Sequence, residues 1–180
     1  MTEDPSSEAG LTEIPSHVIL NKIQTGEPVV YDHVRIAGDL DLSKLSLPTE
    51  PVDAELFLES PAKCKIVSSL IQITNSEFEG SVYFSNCIFK LDAVFRGAIF
   101  RKDAYFRRTT FRLGADFLGT AFDEGADFRG ATFRLDAYFG KTTFREDADF
   151  IGTTFNRAYF IEAAFRGKGE YFRLIWGDNI

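Results

Sequence analysis

Phenylalanine recurs along this chain at two alternating intervals. From Phe78 it falls at Phe84, Phe89, Phe95, Phe100, Phe106, Phe111, Phe117, Phe122, Phe128, Phe133, Phe139, Phe144, Phe150 and Phe155, with spacings of 6, 5, 6, 5 and a period of 11 residues. Two positions before each ring the residue is usually small, as at Ala93, Ala104, Ala115 and Ala126 on the wider steps and Thr109, Thr120, Ala131 and Thr142 on the narrower ones. A helix turns about 100° per residue and would scatter rings spaced this way over different faces. An extended chain points its first and third residues to one side and the middle residue to the other. Each Ala-x-Phe or Thr-x-Phe therefore predicts a three-residue strand with its small residue and ring buried. The middle residues (Tyr105, Thr110, Asp116, Asp127, Thr132, Tyr138, Thr143, Asp149) are then expected outside.

A register held over so many repeats is that of a solenoid, in which each repeat buries its face against its neighbours. The expected fold class is an all-β solenoid in which residues 22 apart stack. Runs such as Ala115-Asp116-Phe117-Leu118-Gly119 and Ala126-Asp127-Phe128-Arg129-Gly130 resemble the unit of the pentapeptide-repeat proteins, A(D/N)LXX with Leu or Phe at the centre. The resemblance implies a right-handed quadrilateral β-helix with four short faces per coil. Here one extra residue stands at every second corner, at Ser81, Asp92, Asp103, Gly114, Gly125, Asp136 and Asp147, giving about 22 residues per coil. All seven are small or turn-forming, which suggests a corner bulge with φ above zero.

The chain divides accordingly. Residues 1–14 read as an acidic flexible tail, and 15–26 as a short capping helix, with Ser16 as N-cap and Gly26 as stop. Residues 27–65 read as early aliphatic coils, because stepping back from Phe78 reaches Ile73, Val67, Leu45, Leu40, Val34 and Val29 in phase. Their 48–65 segment is in phase but holds Pro48, Pro51 and Pro61, so it either continues the coil or loops out. Residues 66–165 form the regular Phe-rich helix. Over 166–180 the rhythm breaks, and Phe172, Leu174, Ile175 and Trp176 either plug the last coil or join two chains end to end.

Net charge is −7, split as −9 over residues 1–60 and +2 over 61–180. No apolar run reaches the ~18 residues of a membrane span. The acidic, polar N-terminus lacks the character of a secretory signal, so a cytoplasmic location is expected. Cys64 and Cys87 are too few for a disulfide framework, and with His17 and His33 they show no metal-ligand spacing. No phosphate-loop, dinucleotide, zinc-protease or nucleophile-elbow motif is present, and no cofactor is implied. Asp127 and Asp149 stack as a carboxylate pair, but on a flat wall, so an enzyme is not expected.

One corner repeats Lys90-Leu91-Asp92, Arg112-Leu113-Gly114 and Arg134-Leu135-Asp136. The basic column Lys90, Arg112, Arg134 beside the leucine column Leu91, Leu113, Leu135 is the candidate docking ridge for an acidic, partly apolar protein surface. The bland alternative is that nearby acids neutralise the bases and each Leu covers its corner. Thr110, Thr132 and Thr154 form a column like that of an ice-binding solenoid, but Arg112 and Arg134 run beside it. The resemblance also implies an alternative, since some members of the family mimic B-form DNA and occupy the DNA saddle of type II topoisomerases such as gyrase. A mimic needs a strongly acidic rod, and this rod carries Arg96, Arg101, Arg107, Arg112, Arg129, Arg134 and Arg145. The reading is a non-enzymatic protein-binding or scaffold module with an unidentified protein partner. Neither direct nucleic-acid binding nor membrane insertion is expected.

Overall fold

The computed structural model describes residues 10–51 and 63–167, and the backbone of the Ile175–Trp176 strand. The chain winds as a quadrilateral β-helix of about six turns, with one short helix at its N-terminal end. Strands of successive coils pair in parallel, and the register is 22 residues where the Phe rhythm is regular: Ile99 on Ala121, Ala104 on Ala126, Thr110 on Thr132, Ala115 on Ala137. Backbone N–H groups at the corners continue the ladder, as from Phe106 to the Asp127 carbonyl at 2.7 Å.

The interior is a stack of rings. Every lattice Phe from Phe84 to Phe155 is buried. Rings one coil apart lie nearly parallel, with centroids 4.8 Å apart for Phe106–Phe128 and 5.0 Å for Phe117–Phe139. Rings on adjoining faces meet edge to face, as Phe117 and Phe128 do at 5.6 Å and 87°. Both arrangements suit the aromatic quadrupole, so the ring fills the core and orients its neighbours together. Where Thr replaces Ala it is buried, and its hydroxyl donates to a carbonyl of the preceding coil: Thr109 to Phe84 and Thr142 to Phe117, both at 2.7 Å.

The middle residues are less exposed than the alternation suggests. Most are half-buried, because rungs ~4.8 Å apart screen each other. Ile88 is buried outright, beside Ile66, where the 42–51 segment returns alongside and the Pro48 carbonyl accepts the Ile66 N–H. The Asp at a middle position has a local task. Asp116, Asp127 and Asp149 each accept the N–H two residues on, at 2.9–3.0 Å, closing the turn that follows the strand.

The corners differ from expectation. None of the seven inserted residues has positive φ. The left-handed residues stand at the other, tighter corners: Asn75, Asn86, Gly97, Arg108, Gly119, Gly130, Lys141 and Gly152, again 11 apart. A two-residue connection between strands at a right angle needs a left-handed residue, whereas a three-residue one turns with ordinary φ. The inserted residues instead form a polar ladder. Asp92 accepts the Gly114 N–H at 2.9 Å, and Asp103 accepts that of Gly125 at 3.0 Å. Beyond Phe155 the corner loses its extra residue, and the register becomes 21 at Ala137–Ala158.

The first coil is out of the phase read upstream. Val29 pairs with Ile71, Ile36 with Phe78 and Leu40 with Val82. Ile36 and Leu40 therefore take the ring and small-residue positions of a coil that is 42 residues away, not 44. Val29, Val34 and Leu40 are still buried because positions two apart share a face. Almost a full coil of chain is inserted after Leu42, and the fourth face of the first coil is supplied only at Lys63–Val67. Thr49–Pro51 lies antiparallel to that strand. Lys65 pins the start of the excursion, its ammonium donating to the carbonyls of Leu42, Ser43 and Leu45.

Part of the segment read as a tail is structured, since Thr12–Pro15 pairs with Val34–Ala37 and adds a rung before the first coil. The helix α1, Ser16–Thr25, crosses that end with Ile19 and Ile23 buried. Its N-cap is Pro15, not Ser16, with no side-chain cap. Gly26 ends it at φ 78°, with the Gly26 and Glu27 N–H groups bonded back to Ile23 and Lys22.

Candidate docking surface

The corner after the fourth face carries the predicted ridge. Leu91, Leu113 and Leu135 are 42%, 37% and 42% exposed, one above another on successive coils. Each follows a base at the end of a fourth-face strand: Lys90 after Phe89, Arg112 after Phe111, Arg134 after Phe133. The backbone register thus brings all six residues together.

The basic column is not uniform. Glu50, on the antiparallel Thr49–Pro51 strand, places one carboxylate oxygen 3.6 Å from Lys90 Nζ and bonds the Arg112 guanidinium through the other. Arg134 has no ion-pair partner among the described residues. Neutralisation of the first two bases therefore comes from the inserted segment. Asp92 is engaged with Gly114, and Asp136 with Arg157 at 2.6 Å. Glu50 is the residue that sequence reasoning missed. The prolines marked its segment as irregular, but nothing in the 11-residue phase says where an out-of-phase strand returns.

Elsewhere the charges pair along the coil axis. Arg101 reaches Glu77 at 2.9 Å and Asp123 at 3.0 Å, and Arg145 reaches Asp123 at 3.2 Å. Arg101 is held above its ordinary pKa by the Asp123 and Glu77 carboxylates. The Asp127–Asp149 pair stacks as expected, but Arg129 lies against both carboxylates. Burial pushes the Cys87 thiol up to about 12, so it is a packing residue without nucleophilic character at neutral pH. Among the described residues no three His, Cys, Asp or Glu side chains converge as a metal site. No helix among them is long and apolar enough to cross a membrane.

Of the proposed C-terminal contact, Phe172 and Leu174 lie outside the described residues. Ile175–Trp176 pairs in parallel with Thr154 and Phe155, adding a rung to the fourth face.

No curated protein sequence and no solved structure matches the chain. The family profile described as pentapeptide repeats (9 copies) matches residues 70–110, 84–132 and 128–168, together more than half of the chain. With the four-faced coil, the Asp-closed turns and the buried Phe stack in place, the chain belongs to the pentapeptide-repeat family.

Proposed function

We propose that this β-helix is a non-catalytic binding scaffold that docks a protein partner along the Leu91–Leu113–Leu135 ridge. The observation that carries the reading is the exposure of these leucines in one column on a rigid ladder. Each leaves roughly two-fifths of its surface in water on an outward corner of the coil. Such a column presents side chains ~4.8 Å apart with little conformational entropy to lose on binding. The flat walls and paired charges favour recognition over chemistry. The alternating ion pairs at Glu77, Arg101, Asp123 and Arg145 weigh against the reading as a DNA mimic, because they cancel the periodic negative charge that mimicry of phosphates requires.

The test is affinity capture from native lysate, comparing the wild type with a Leu91→Ser/Leu113→Ser/Leu135→Ser variant whose far-UV spectrum and melt are first matched to it. A band that is retained by the wild type and lost by the variant supports the ridge. Identical captured sets would reject it.

A further inference from the structure

The fourth face differs from the other three in carrying no acid of its own. Its outer positions and flanks read Asn86-Ile88-Lys90, Arg108-Thr110-Arg112, Gly130-Thr132-Arg134 and Gly152-Thr154-Asn156 on successive rungs. The first face has Asp116, the second Glu77 and the third Asp127 and Asp149. The fourth is a threonine wall railed by bases, and among the described residues the carboxylate set against it, that of Glu50, arrives from outside the repeat.

That carboxylate shows how the wall can be occupied. Glu50 stands on an extended strand and serves two cations of adjacent coils, Lys90 and Arg112. It leaves Arg134 one rung further on. Among the described residues, the Glu50 charge is thus set against the longer rail of Lys90, Arg112 and Arg134. The strand that carries it is only three residues long and is joined to the helix by the antiparallel pairing at Lys63–Lys65.

We infer that the fourth face takes an extended acidic segment of a partner protein, which replaces Glu50 on Lys90 and Arg112 and continues to Arg134. This rests on the binding-scaffold reading and names its partner's chemistry. The thread of acid would run beside the leucine ridge, so apolar and charged contacts act on one partner. The Thr hydroxyls are small, uncharged donors and acceptors at the centre of the wall and suit the peptide groups of such a strand. A phosphate polymer is the less favoured occupant, because the occupant already in place is a carboxylate on an extended peptide.

The experiment is fluorescence anisotropy with a labelled hexaglutamate peptide, at an ionic strength low enough that the screening length exceeds the ~10 Å of 0.1 M salt. Full-length wild type is compared with Glu50→Gln and Arg134→Glu, each first checked by thermal melt. Removing the internal competitor should tighten binding by about threefold or more, and reversing Arg134 should weaken it by a similar factor. Unchanged or weaker binding by Glu50→Gln overturns the inference, as does the absence of hexaglutamate binding. An oligothymidylate of equal charge that binds as tightly as the peptide overturns it in favour of a phosphate ligand. The leucine-ridge capture is independent of these variants, so either result can fail while the other stands.

Discussion

The Asp103 carboxylate accepts the backbone N–H of Gly125 one coil above, at 3.0 Å, and its oxygen lies 2.8 Å from where a Cβ on residue 125 would stand. A side chain at 125 is thus opposed by the Asp103 carboxylate and not by φ. Gly125→Ala should force the Asp103 side chain aside and break that bond, costing about 1–3 kcal/mol. At Gly80 the obstruction is backbone, since a Cβ would meet the Gly38 carbonyl carbon at 2.4 Å. Gly80→Ala should therefore cost more than Gly125→Ala. Urea melts of the two variants check the order, and equal midpoints would show that the corner ladder is not close-packed.

The tight corners allow a test in the stabilising direction. Lys141 holds φ 55° in the column where Gly97 and Gly119 stand on earlier coils. A side chain in this region costs roughly 1–2 kcal/mol, and the exposed Lys141–Glu162 contact at 3.9 Å returns little. Lys141→Gly should raise the thermal midpoint, and Gly119→Val should lower it. A fall for Lys141→Gly would mean that the added freedom of the unfolded chain outweighs the relief.

The buried hydroxyls are expected to act singly. Thr142 donates to the Phe117 carbonyl at 2.7 Å, and that carbonyl also accepts the Thr120 N–H at 3.0 Å. Thr142→Val removes one bond without orphaning its acceptor and should cost about 1 kcal/mol. Phe117→Ala removes a ring stacked between Phe95 and Phe139 at 5.3 and 5.0 Å and should cost about 3–5 kcal/mol. Comparable midpoints in chemical denaturation would refute this division between ring and hydroxyl.

Much of this architecture is legible in the chain because a Phe can be accommodated at one position per strand only. Its phase therefore reports the coil length directly. The αL corners were only partly legible: Asn75, Asn86, Gly97, Gly119, Gly130 and Gly152 announce the conformation, but Arg108, Lys141 and Glu162 hold it without glycine or asparagine, and Gly114 and Gly125 offer a competing signal at the inserted corners. The first coil was misphased for a related reason. A period of two lets Val34 and Ile36 both face inward, so burial alone does not choose between them. At the docking surface the leucine column followed from 22-residue stacking. The engagement of Lys90 and Arg112 by Glu50 did not, because it depends on where an inserted, out-of-phase segment returns to the wall.

Acid should probe the seam between the first and second coils. Asp32 accepts bonds from Thr74 at 2.6 Å and Asn75 at 2.8 Å, with His33 beside it, and these hold its pKa at about 2, below the ordinary 3.8. A depressed folded-state pKa stabilises the fold above the unfolded value, and the contribution disappears as pH falls through the folded value. The difference in urea midpoint between wild type and Asp32→Asn should hold steady above pH 4 and shrink between about pH 4 and pH 2. A difference that stays constant down to pH 2 would place the depression elsewhere.

Gyrase provides the last test, because the DNA-mimic alternative makes an opposite prediction from the same fold. A competitor for a DNA saddle must meet basic residues with regularly spaced negative charge, and like charges there cost several kcal/mol. On this rod Asp123 lies between Arg101 and Arg145, Asp127 and Asp149 are bridged by Arg129, and the fourth face is railed by Lys90, Arg112 and Arg134. The −9 charge of residues 1–60 does not follow the 22-residue coil period. The full chain and a variant lacking residues 1–9 are therefore both expected to leave supercoiling by purified gyrase unchanged across a titration. Inhibition at submicromolar concentration by the shortened chain would show that the rod itself enters the saddle, and would place mimicry ahead of the docking ridge.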